Sequence, residues 1–335
     1  MPPKLRDVAE RAGVSVKTVS NVVNGYVHVK DATRDRVQRA IDELGYRPNL
    51  TARSLRSGRS GVLALAVPEL DVPYFAELAR LVVETAADRG YTVVIDQTGG
   101  GREQEMVVLK GIRSHFVDGV LFSPLALSAA DLRARTDRAP LVLLGERAPR
   151  GPDDHVGIDN VRAARDATEH LVAIGCRRIA AIGAQTGGPG ATARQRLSGY
   201  RASLTEAGLP YDPDLVVPAR SFHRADGFAA MAALLALPDP PDGVFCFNDP
   251  LALGALRCLA TRGIRVPQDV AVVGFDDAED GRYSTPSLST IAPDKPTIAT
   301  TAVDFLLARI DGTAPTGPRR TTAPHTLVPR ESTDR

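Results

Sequence analysis

Lys17, Asn21 and Asn24 recur at i, i+4 and i+7, so a helix over this stretch carries three hydrogen-bonding side chains on one face. Val19, Val22 and Val23 fall on the other side. Short donors and acceptors in front of a buried valine stripe suit the edges of base pairs in a major groove. A second set of polar and aromatic residues lies further along: Asp159, Arg196, Asn248 and Asp276, with Tyr74, Phe75 and Phe222. Arginine offers a rigid fork of donors, aspartate accepts from two hydroxyls, asparagine does both, and an aromatic ring covers an apolar side. Together they suit a ligand with vicinal hydroxyls. Other chemistries find no support: Walker-type GK[ST], G-x-S-x-G, HExxH and CxxC are all missing, and the six histidines show no metal-ligand spacing. Neither enzyme, metal nor cofactor is expected. Cys176, Cys246 and Cys258 are scattered; Cys246 lies inside an apolar run and Cys258 in a predicted helix, which favours buried thiols in a reducing compartment.

The first set needs a rigid support, and its neighbours supply one. Leu5, Val8, Ala9 and Ala12 form the apolar stripe of a preceding helix, Gly13 suits a helix-ending turn, and Ser15 suits an N-cap. Val37, Ala40, Ile41 and Leu44 form a third stripe that ends at Gly45, so residues 1–45 predict three helices around one small core. A helix–turn–helix and an ordinary helical hairpin with a solvated polar face both fit this pattern. Charge separates them. Residues 1–60 hold 12 Lys/Arg and 6 Asp/Glu, whereas the remainder holds 29 and 34, so a near-neutral total hides a basic end. Arg34, Arg36, Arg39, Arg53, Arg56 and Arg59 are candidate phosphate contacts. Between Pro48 and Gly58, residues 49–57 predict a short hinge helix with Ala52 and Leu55 on one face. So short a helix needs an external surface to order it. An exposed leucine on a basic peptide suits a wedge between base steps in a minor groove; a linker whose Leu55 packs on its own domain is the alternative.

The second set needs strands. Apolar runs such as Val62–Val67, Val120–Phe122, Leu141–Leu144, Ile179–Ile182, Val244–Phe247 and Val270–Val273 alternate with helical patterns, which predicts an α/β domain of parallel sheets covered on both faces. Residues 61–335 exceed one comfortable core, so two lobes are expected. Ligands in such sheets sit beyond the carboxyl ends of strands, where Asn248 and Asp276 fall. Two readings stand for each: Asn248 contacts a ligand or caps the helix opened by Asp249-Pro250, and Asp276 contacts a ligand or closes a turn. Tyr74 and Phe75 fit either a site or the core. Without a signal core or an 18-residue apolar run, a cytoplasmic location and no membrane partner are expected.

The run DVAERAGVSVKTVSNVVNG, followed by TRDRVQRAIDELGYRPNLTARSLRSGRSG, resembles the N-terminal signature of the lactose-repressor and galactose-repressor family of bacterial transcription regulators. The similarity continues through VPYFAEL, GIDN, RQRLSGY, FNDPLALGAL, RVPQDVAVVGFDD and LVPRES, and so spans essentially the whole chain. The resemblance implies a DNA-binding domain over 1–58, with the hinge helix, and a periplasmic-binding-protein-like effector and dimerisation domain over 61–335. Three crossings would divide the latter into lobes of 61–160 plus 291–320 and 161–290 plus 321–335. It implies DNA contacts from Ser15, Val16, Lys17, Thr18, Ser20, Asn21 and Asn24, and from Asn49, Ala52, Arg53 and Leu55 of the hinge, with Leu55 as the wedge. Arg196, Asn248 and Asp276 match effector-contact positions and Phe222 a stacking position. Two residues depart from the family pattern: Asn21 stands where arginine is frequent, and Lys30 where a serine often caps the third helix. The expected partners are a palindromic double-stranded operator, a second copy of the chain and a small effector. A sugar is the first choice of effector and a nucleobase the second; a cytoplasmic sugar-binding protein without a regulatory role is the alternative from another class. Only three residues follow LVPRES, too few for a tetramerising heptad tail, so a homodimer is expected. Induction and corepression both remain open.

Overall fold

The computed structural model describes residues 3–23, 26, 28–46, 59–111, 116–137, 139–145, 151–185 and 191–335. The chain divides into two compact units, Met1–Ser60 and Gly61–Arg335. In the first, α1 (Leu5–Ala12), α2 (Val16–Val23) and α3 (Asp31–Leu44) turn Val8, Ala9, Ala12, Val19, Val22, Val37 and Ala40 into one core, closed by Tyr46. Gly13 ends α1 at φ 61°, a left-handed conformation that costs glycine little. The Ser15 hydroxyl then accepts from the Thr18 amide at 3.1 Å and starts α2. No side chain caps α3, where Asp31 places a negative charge in the first turn instead.

The second unit holds two six-stranded sheets. The first is built from β1 (Val62–Val67), β2 (Thr92–Gln97), β3 (Gly119–Phe122), β4 (Leu141–Leu144), β5 (Asp154–Ile158) and β11 (Arg320–Ala323), in the order β11-β5-β4-β3-β1-β2 and parallel throughout. The second contains β6 (Ile179–Ala184), β7 (Val216–Pro218), β8 (Gly243–Cys246), β9 (Ala271–Phe275), β10 (Ser289–Pro293) and β12 (His325–Val328), in the order β12-β10-β9-β8-β6-β7. Here β12 runs antiparallel to β10, the one departure from the expected parallel pairing among the described strands. The register sets Pro293 beside His325, so β12 begins at the end of β10 and runs back along it.

Between strands run α4 (Pro73–Ala87), α5 (Arg102–Leu109), α6 (Ala129–Arg133), α7 (Asn160–Ala173), α8 (Ala191–Glu206), α9 (Arg224–Leu234), α10 (Asp249–Thr261), α11 (Glu279–Arg282) and α12 (Lys295–Ile310). Strands β6, β8 and β9 are buried along their length, as runs apolar on both faces demand. Helices α9 and α10 touch backbone to backbone: a Cβ at Gly227 would lie 2.0 Å from the Leu251 carbonyl oxygen. The chain passes between sheets at Asp159, Asp294 and Pro324. The second passage thus falls a few residues after the expected boundary at 291, because β10 belongs wholly to the second sheet and α12 covers the first. Likewise β11 remains in the first sheet past residue 320. The Asp294 amide donates to the Pro324 carbonyl at 3.0 Å, so two passages lie side by side. Among the described residues no helix is long and apolar enough to cross a membrane.

Candidate functional site

Ser15, just before α2, and Val16 and Lys17 at its start are exposed, Thr18, Ser20 and Asn21 are half-buried, and Val19 and Val22 are buried beneath. The Thr18 and Ser15 hydroxyls lie 2.9 Å apart, so this pair is engaged in holding the start of the helix. Arg34, a candidate phosphate contact, donates one guanidinium N–H to the Tyr26 carbonyl at 3.1 Å. Asn24, the expected hinge helix and its Asn49, Ala52, Arg53 and Leu55 lie outside the described residues, as do Arg56 and the loop 186–190.

In the second unit a cavity of about 300 Å³ opens between the two sheets. It is lined by the segments after β1, β2, β3 and β4 of one lobe and after β6, β7, β8 and β9 of the other, the carboxyl-end position expected of such sheets. Tyr74, Phe75, Arg196, Phe222, Asn248 and Asp276 all line it. Asp159 does not. It is exposed and caps α7, accepting from the Arg162 amide at 3.0 Å, because the chain there leaves β5 and enters the helix at once. Its neighbour Asn160 is buried and, without lining the cavity, accepts from Arg196.

Arg196 is buried and held from several sides. Its Nε donates to Asn160 Oδ1 at 2.8 Å, Nη1 donates to the Phe247 carbonyl, and the guanidinium lies over the Phe275 ring, 3.4 Å from its centre. Asn248 does the structural work that its cap-like sequence allows: Oδ1 accepts from the Leu251 amide and Nδ2 donates to the Phe222 carbonyl, both at 2.9 Å. It therefore fixes the loop that carries Phe222 into the wall. Tyr74 and Phe75 pack edge to face at 5.3 Å, lining the cavity while resting on the first sheet's core.

Asp276 follows β9 with φ 116°, and Asp277 with φ 49°, two consecutive non-glycine residues in the left-handed half of the map. The turn is held from outside. Lys295 Nζ donates to the Asp276 and Asp277 carbonyls at 2.8 and 3.2 Å and pairs with Glu77, whose other oxygen accepts from the Glu279 amide at 3.1 Å. Burial opposes charge on Asp277, but bonds from Arg330 and Arg282 outweigh it and hold its carboxyl below the usual range. Behind the turn, Asp249 is wholly buried, and burial pushes it up to about 7 despite hydrogen bonds from Thr290 Oγ1 and the Ala278 amide.

Sequence reasoning misses several residues. Ser123, Gln185, Thr192 and Arg220 line the cavity, and Asn160 positions Arg196. The buried Glu105 carboxylate accepts from the amides of Leu125, Ala126 and Leu127 and shapes the loop after β3. The three cysteines are free and buried; burial pushes Cys176 up to about 11 and raises Cys246 further, leaving inert thiols.

Comparison with known proteins assigns this arrangement. Residues 4–49 match the model of bacterial regulatory proteins of the lacI family, and residues 168–333 match a periplasmic binding protein-like domain. The repressor CytR of Escherichia coli (strain K12) is 34% identical over 309 residues, covering 92% of this chain and 90% of CytR. The chain belongs to the lacI family. Within that family, the transcriptional regulator CelR in complex with cellobiose is 35% identical, covers 98% of this chain and 99% of its own, and superposes with a TM-score of 0.72. The lac repressor dimer bound to operator and the anti-inducer ONPF is 30% identical over 99% of both chains, with a TM-score of 0.85. The protein is accordingly a DNA-binding transcription regulator with a helix–turn–helix domain and an effector domain. The sugar-binding protein without a regulatory role is not favoured.

Proposed function

We propose that this lacI-family regulator is a dimeric repressor whose effector is a sugar, bound between the lobes by Arg196 and Asp276 and walled by Tyr74, Phe75 and Phe222. The observation that carries this reading is the strained Asp276 turn at the end of β9, facing a cavity that a buried, stacked Arg196 also lines. Strain of that kind persists where its surroundings over-determine it and gathers at ligand clamps. A carboxylate and a guanidinium on one small cavity suit adjacent hydroxyls. CelR, with cellobiose in its complex, supports the same class.

Lys17, Thr18 and Asn21, with Val16, are the side chains we assign to base edges, and Leu55 of the hinge is the wedge. Dimerisation fits the edge strand β2, which leaves Val94 and Ile95 47% and 43% exposed, an apolar edge that a partner would cover. A thermal-shift screen of sugars and nucleobases tests the effector class, since stabilisation grows with ligand concentration over Kd. Saturable stabilisation by a sugar, and its effect on binding to an inverted-repeat duplex, is the expected outcome. Stabilisation by nucleobases alone would replace the sugar reading.

A further inference from the structure

At the rim of the cavity, Glu69 Oε2 and His223 Nε2 lie 2.9 Å apart across the two lobes. Asp71 brings a third group: one ligand atom from each of Glu69, Asp71 and His223 falls within 4.8 Å of the others. We propose that these three side chains form a binding site for a divalent transition-metal ion that ties the lobes together at the mouth of the cleft.

An ion pair alone leaves part of this geometry unexplained. Among the described residues the exposed Asp71 carboxylate has no hydrogen-bond or ion-pair partner, yet it stands beside a second carboxylate. Two like charges at that separation repel. A divalent cation balances both and leaves the imidazole neutral, free to donate a lone pair. One nitrogen with two carboxylate oxygens is a donor set for manganese, iron, cobalt, nickel or zinc rather than for calcium or magnesium, which prefer oxygen alone. His223 is also placed for the task. It is the N-cap residue of α9, but its ring makes no capping bond, although serine, threonine or aspartate would cap better. The ring is used across the cleft instead.

Two ligands follow β1 of the first lobe and one opens a helix of the second, so an ion here favours the arrangement in which both rims meet. Glu69 also lines the cavity, which puts the ion at its edge. No spacing rule connects Glu69-x-Asp71 with a histidine so distant in sequence, and only the fold unites them.

The test uses chelator-treated full-length protein, without sugar or DNA, titrated with Mn²⁺ while its Tm is followed. Its outcome is therefore independent of the effector assignment. Asp71→Asn is the deciding variant, since it leaves the Glu69–His223 pair intact; His223→Gln is the second. We expect saturable stabilisation of the wild type, a weaker response to Mg²⁺, and a midpoint for Mn²⁺ raised about tenfold or more in both variants, the minimum seen even for groups that only support a ligand. No saturable shift, or an unchanged midpoint in either variant, overturns the site.

Discussion

Asp276 shows how much a single residue can carry when backbone and side chain act together. Its φ of 116° is tolerable only because the Asp276 amide donates to the Ile291 carbonyl at 2.8 Å while Lys295 grips its own carbonyl from the other side. Asp276→Asn keeps the shape and removes the charge. Charged hydrogen bonds contribute about 1.5–3 kcal/mol, so effector affinity should fall roughly tenfold to hundredfold, with effector-free operator binding unchanged. Titration of the effector by thermal shift, beside operator binding by anisotropy, separates the two. Asp249 behind it gives a pH prediction. Its folded pKa of about 7 lies above the ordinary 3.8, so the folded state holds a proton that the unfolded state has lost. This contribution to stability is complete below about pH 4 and is lost as pH rises towards 7. Asp249→Asn should flatten that part of the stability–pH curve, measured by denaturant unfolding between pH 4 and 8; an unchanged slope contradicts the assignment. Arg196, Asn248 and Asp276 were legible in sequence because each lies just beyond an apolar run or a Gly-rich loop. Asp159 misled, since one residue decides whether a carboxylate caps the helix or an amide faces Arg196, and periodicity does not resolve one residue.

At the scale of elements, the first sheet is fastened by a carboxylate that no pattern announces. Asp154, buried on β5, accepts from Arg309 of α12 at 2.7 and 3.0 Å and from the Arg319 amide at 2.7 Å, just before β11. Burial opposes its charge, but these bonds prevail and hold it at about 2. One residue thereby ties together the pieces of chain that return late to the first lobe. Removing one partner of a buried pair strands the other charges, so Asp154→Asn should cost on the order of 3 kcal/mol in denaturant unfolding at pH 7. Because the folded pKa is depressed, the stability it confers is present above about pH 4 and lost as pH falls through 2, so variant and wild type should converge in acid. The strands themselves were readable, since a run apolar on both faces has few other fates. The arginines that make Asp154 valuable lie over 150 residues away, and their approach depends on the topology.

For the molecule as a whole, the uneven charge of the chain was the plainest signal, because counting residues needs no fold. The basic first 60 residues supply salt-sensitive attraction to any duplex, and selectivity must come from elsewhere. Dimerisation is one source, since it presents two recognition helices at fixed spacing. Ile95→Asp on the exposed edge of β2 should therefore give monomers by sedimentation and weaken operator binding without altering any DNA contact. The proposed hinge wedge, Leu55, is the other. In that role it would unstack a base step that only the right sequence yields readily, so its loss should be felt on the operator and not on random duplex. Leu55→Ala removes apolar atoms and no charge. We expect at least about a tenfold loss of affinity for an inverted-repeat operator, with unchanged affinity for random duplex and an unchanged slope of log K against log salt. Parallel anisotropy titrations over a range of salt concentrations provide the check. Equal losses on both duplexes would make Leu55 a packing residue of its own domain, and base readout would then rest on Lys17, Thr18 and Asn21 alone.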